Sequence, residues 1–153
     1  SLSPLAIDLF PDRHADLTVE LLGALRSALG EDGLAAVLHH RDEGHRAELE
    51  AHRADAGIAA ADVAGRVALL ADQRTRQGYM AEVQADGDDL LLVEHHCPVC
   101  AAATECQRLC TNELELFRAA VGPAAEVERT AHLLSGDERC VYRIRTPSTR
   151  PTT

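Results

Sequence analysis

The stretch Gly78–His96, GYMAEVQADGDDLLLVEHH, is where the chain changes its period. Before it, apolar residues recur every three or four positions. Within it they alternate, and DGDD at 86–89 has turn composition. This predicts an antiparallel hairpin, with strands near 78–84 and 89–95. Upstream, Val63, Val67 and Leu70 form the stripe of a helix over about 60–75. Val19, Leu22, Leu25 and Leu29 mark another over about 17–29, with Asp16 or Thr18 as its cap and GEDG at 30–33 as its break. A further helix starts near Leu34. Its continuation HHRDEGHRAELEAHRA, 39–54, is polar all round and reads as a solvated helix or two helical pieces. Its four histidines show no i,i+4 pair and fit a solvated or interface face.

Downstream, a helix over about 101–121 stops at Gly122 and Pro123. Two more strands fit EVERTAHLLS and RCVYRIR, joined by SGDE. The order ααα–ββ–α–ββ specifies an α+β domain: N-terminal helices, then an antiparallel sheet (ββαββ) with one cysteine-bearing helix. Residues 1–13 read as a linker, 14–146 as a single domain, and 147–153 as a disordered tail.

A chain of 153 residues, 46% hydrophobic, buries roughly two-thirds of its unfolded surface and needs no staple to fold. With aromatics at 3% its core is built of Leu, Val and Ala. All 15 basic residues are arginine, which suggests a GC-rich, bacterial source. The net charge of −10 lies entirely in residues 1–96, with 8 Arg against 18 Asp and Glu; residues 97–153 carry 7 of each. Such a surface repels phosphate backbones, and no basic recognition helix is visible. No apolar run reaches membrane-spanning length and no signal pattern opens the sequence. A cytoplasmic location is expected, where disulfides are rare.

Five cysteines, at 97, 100, 106, 110 and 140, then suggest metal or redox chemistry. Cys97 and Cys100 form CPVC between a strand and a helix N-terminus, whose dipole favours thiolate. Cys106 and Cys110 are i,i+4, on the face that carries Leu114, Phe117 and Val121. A zinc site could use Cys97, Cys100, Cys110 and Cys140. A thioredoxin-like pair at Cys97 and Cys100 leaves three cysteines over. Irregular spacing suits an iron–sulfur cluster, with three ligands from the loop and helix and one from the last strand. Glu113 and Glu115 are expected on the solvated side of the helix. GEDG and DGDD read as turns rather than calcium loops.

GYMAEV, VEHHCPVCAAATECQRLC, ELELF, VERTAHLLSG and RCVYRI together resemble the C-terminal effector domain of SufR-type transcriptional repressors. The resemblance is dense over about 74–145 and looser over 12–73. It implies a non-enzymatic, dimeric sensor that holds an iron–sulfur cluster, 4Fe–4S or alternatively zinc, and represses cluster-assembly genes. DNA would be reached only through an N-terminal winged helix–turn–helix missing upstream. The ligand pattern falls on Cys97, Cys110 and Cys140, with Cys100 first for the fourth place. Cys106, Asp137, Glu138, His95 and His96 are the other candidates for it. Two rival readings are a zinc-stapled small-molecule-sensing domain and a thiol oxidoreductase using Cys97 and Cys100.

Overall fold

A computed structural model describes residues 13–99, 102–103 and 106–146. Residues 1–12 of the linker, the tail and Cys100 of the sequence reading lie outside these residues. The element order is α1 (His14–Asp55), α2 (Val63–Arg76), β1 (Ala81–Asp86), β2 (Asp89–Glu94), α3 (Arg108–Val121), β3 (Glu126–Ala131) and β4 (Cys140–Arg145), with one 3-10 turn at Leu133–Ser135. The fold is α+β, as the periods indicated. The strands form one antiparallel sheet in the order β1-β2-β4-β3.

The hairpin closes where Asp86 pairs with Asp89, leaving Gly87 and Asp88 as a two-residue loop. Gly87 sits at φ 61°, in the left-handed region such tight loops require. Asp62 caps the N-terminus of α2: its carboxylate accepts the Gly65 amide at 2.9 Å.

Two boundaries differ from the sequence reading, while the break expected at GEDG is present: of its four residues only Gly30 leaves helical geometry, at φ 72° and ψ 179°, and α1 is two helical pieces that meet there. The polar tract beyond it is one helix, held by i,i+3 pairs such as Arg46–Glu43 and Arg53–Glu50. Arg13 occupies the cap position of α1, and the Thr18 hydroxyl instead donates to the His14 carbonyl at 2.8 Å. The cysteine-bearing helix starts at Arg108, so Cys106 precedes it.

Two apolar cores result. The main one joins Val63, Val67 and Leu70 of α2 with Leu116 and Phe117 of α3 and Leu92, Tyr142 and Ile144 of the sheet. Phe117 meets Tyr142 edge-on, with centroids 4.6 Å apart. The smaller core joins Leu22, Leu34 and Leu38 of α1 to Ala102, Ala103, Cys106, Leu109 and Cys110. Arg66 fastens three helices together: it donates to the Ala120 carbonyl of α3 at 2.6 Å and reaches Glu50 of α1 at 2.8 Å.

Candidate functional site

The chain leaves β2 at Glu94, and His95 and His96 are exposed beyond it. His95 Nε2 lies 3.1 Å from Glu82, across the hairpin. Cys97 is half-buried, whereas Cys106, Cys110 and Cys140 are buried. The buried thiols divide between the two cores. Cys106 and Cys110 pack beneath the leucines of α1, and Cys140 packs in the main core. The Leu133 amide donates to Cys140 Sγ at 3.4 Å. Asp137 Oδ2 accepts the His132 amide at 2.7 Å and so closes a turn. Among the described residues no three His, Cys, Asp or Glu side chains form a group that could hold a metal ion. The described residues therefore form no metal-binding or iron–sulfur group of the kind the cysteine spacing led one to expect of Cys97, Cys110 and Cys140. Local spacing placed them on one surface, but tertiary packing sends the last strand and the helix to different apolar neighbours.

What the sequence reading missed lies beside them. Arg74, on α2, is 1% exposed, and Glu94 and Glu113 are 2% and 5% exposed. Arg74 Nε donates to Glu94 Oε1 at 2.5 Å, and its Nη2 reaches Glu94 Oε2 at 3.2 Å and Glu113 Oε1 at 3.1 Å. The Tyr79 hydroxyl donates to the same Glu113 oxygen at 2.7 Å, and the guanidinium lies over the Tyr79 ring. Glu113 therefore belongs to the interior, not to the solvated side of α3. Burial pulls the Arg74 guanidinium down, but Glu113 and Glu94 outweigh it and hold its pKa above the ordinary value. Burial, reinforced by Glu113, pushes the Glu94 carboxyl up despite Arg74. This one cation clamps α2, β2 and α3 together.

Arg129 of β3 sits between the two cores. Its Nη2 donates to the Cys110 carbonyl at 2.5 Å and touches the Tyr142 hydroxyl at 3.4 Å, and its guanidinium lies 5.2 Å from the Tyr142 ring centroid. Burial pushes the Cys140 thiol up, which keeps it protonated and weakly nucleophilic.

The least explained surface lies on α1. Leu17, Leu21 and Leu29 are 51%, 55% and 53% exposed. Between His14 and Leu29 the only Asp, Glu, Arg or Lys residues are Asp16, Glu20 and Arg26. Large apolar side chains exposed together on one helix are normally covered. Among the described residues no helix is long and apolar enough to cross a membrane.

No family model matches this chain, and no curated protein sequence does. A solved structure does match: trafficking protein particle complex subunit 3 from Naegleria fowleri, covalently bound to palmitic acid. It is 14% identical, the match covers 90% of this chain and 98% of that one, and the TM-score is 0.51. At that identity the likeness concerns the fold alone. It overturns the resemblance to a SufR-type effector domain. The repressor, cluster-sensing and DNA-binding properties implied by that resemblance lose their basis, and the zinc-stapled sensor gains no support. What the comparison shows is a fold similar to that solved subunit's.

Proposed function

We propose that this chain is a non-catalytic, cytoplasmic assembly module that docks onto protein partners, a second copy of itself foremost, through the N-terminal half of α1. The exposure of Leu17, Leu21 and Leu29 carries this reading. Leu17, Leu21, Ala24 and Ala28 are all exposed and fall on one stripe of the helix. Two such helices running antiparallel about a twofold axis set Leu17 against Ala28 and Leu21 against Ala24. Large then meets small along an isologous contact. The likeness to a subunit of a multi-protein complex supports an assembly role.

Sedimentation velocity over a range of concentrations tests this, with the Leu17→Glu/Leu21→Glu variant as comparison. The native chain is expected to associate reversibly, and the folded variant to stay monomeric. A native chain that is monomeric throughout rules out the second copy as occupant. Association unaffected by the variant rules out α1.

A further inference from the structure

We propose that the exposed edge of β3 is a second docking site, for an extended acidic peptide of a partner protein. It is separate from the leucines of α1 and goes beyond the self-assembly reading. β3 is the terminal strand of the sheet, so one side of its backbone has no strand neighbour among the described residues. A cleft of about 680 Å³ is lined there by Ala125, Glu126, Val127 and Glu128, four residues in succession. Successive strand side chains point to opposite faces. A cleft that touches Glu126, Val127 and Glu128, three strand residues in a row, therefore follows the edge of the strand rather than one face. The edge already accepts one hydrogen bond from outside the sheet, from Arg118 Nε to the Val127 carbonyl at 3.3 Å.

Charge identifies the occupant. Arg46 of α1, Arg118 of α3, and Arg143 and Arg145 of β4 line the cleft, against Glu126 and Glu128. The whole chain has 15 basic and 25 acidic residues, so this cleft inverts the sign of its surroundings. The arginine fork is matched to carboxylates. Each of the four now rests on nearby acids: Arg46 on Glu43, Arg118 on Glu115, Arg143 on Asp86 and Asp89, and Arg145 on Asp89 and Glu128. The pairs of Arg46, Arg118 and Arg145 are exposed and exchange readily, whereas those of Arg143 are half-buried. A strand added to β3 would bring main-chain hydrogen bonds for affinity and acidic side chains for selection.

The test is fluorescence anisotropy on the full chain. The probes are a labelled peptide of about six residues alternating Glu and Val, a Lys version, and the Glu version N-methylated at alternate amides. The Glu peptide is expected to saturate the protein. The Lys and N-methylated peptides should bind at least about tenfold more weakly, as should the Glu peptide to Arg46→Glu/Arg145→Glu. Both replaced side chains are about half exposed, and circular dichroism checks that the variant folds. No saturation by the Glu peptide at millimolar concentration overturns the proposal. So does equal binding of the N-methylated peptide, which indicates general anion attraction, or equal binding by the variant, which places the peptide elsewhere.

Discussion

Arg74 Nε stands 2.5 Å from Glu94 Oε1, and the two side chains are only 1% and 3% exposed. With Glu113 on the same guanidinium, one buried cation faces two buried carboxylates. Arg74→Met leaves both carboxylates without their counter-ion and is expected to cost about 3–5 kcal/mol of stability. Arg74→Lys should recover only part of that, because a point charge cannot reproduce the fork. Urea unfolding measures both. A loss below about 1 kcal/mol for Arg74→Met, the range of a surface pair, would contradict the clamp.

Glu94 has the opposite pH sign from most ion-paired carboxylates. Burial, with Glu113, holds its pKa above the ordinary 4.5. The folded state therefore keeps that proton more tightly than the unfolded chain. The resulting stabilisation is complete below pH 4.5 and is lost as pH rises through the folded value. Glu94→Gln removes this dependence. Urea midpoints should show the native chain losing ground against Glu94→Gln between pH 4.5 and neutrality. A native chain that gains on the variant over that range would mean Arg74 outweighs burial.

His45 and His132 act at higher pH. Burial, then Arg41, lowers the pKa of His45 from 6.5, and burial, then Arg129, lowers that of His132. A depressed pKa gives stability that is present above 6.5 and lost as pH falls through the folded value. Thermal unfolding between pH 7.5 and 5.5 should show the native chain losing Tm relative to His45→Gln on acidification. Imidazole shifts titrating at or above 6.5 in the folded protein would refute the assignment.

How far these sites could be read from the sequence depends on the range of the contact. The hairpin was legible because alternation and the DGDD turn are local, and Asp86 pairs with Asp89. Val63, Val67 and Leu70 were legible for the same reason, and all three are buried. Glu113 was not, because charge alone suggests exposure and its partners Arg74 and Tyr79 lie 39 and 34 residues away. A signal did exist: Arg74 continues the Val67–Leu70 stripe, and Glu113 lies between Cys110 and Phe117 on the core face of α3. The surroundings of the cysteines were hidden for a related reason. Their spacing describes one strand–helix segment, whereas their surroundings are set by α1 for Cys106 and Cys110 and by the sheet for Cys140.

Cys140 should behave as an interior thiol. Burial raises its pKa, against the Leu133 amide and Arg129, which lower it. Alkylation of Cys140 in the folded chain, followed by peptide mass mapping, is expected to be on the order of a hundredfold slower than in urea. Rates within a few fold of each other would show that the start of β4 opens readily.

Two glycines of α1 should respond to the same substitution with opposite signs. Gly30 makes the kink at φ 72° and ψ 179°, a conformation almost confined to glycine. A Cβ there meets nothing within 4 Å, so any penalty comes from the backbone and not from crowding. Gly30→Ala is expected to cost about 1–3 kcal/mol. If the helix straightens instead, Leu22 on one side of the kink and Leu34 on the other can no longer both reach the smaller core. Gly44 also has open space around it but lies within regular helix. Gly44→Ala removes unfolded-state freedom without strain and should stabilise by about 0.5–1 kcal/mol. Urea unfolding of the pair decides the matter. Stabilisation by both substitutions would show that Gly30 takes up helical geometry at little cost and that the kink is held by packing rather than by the glycine.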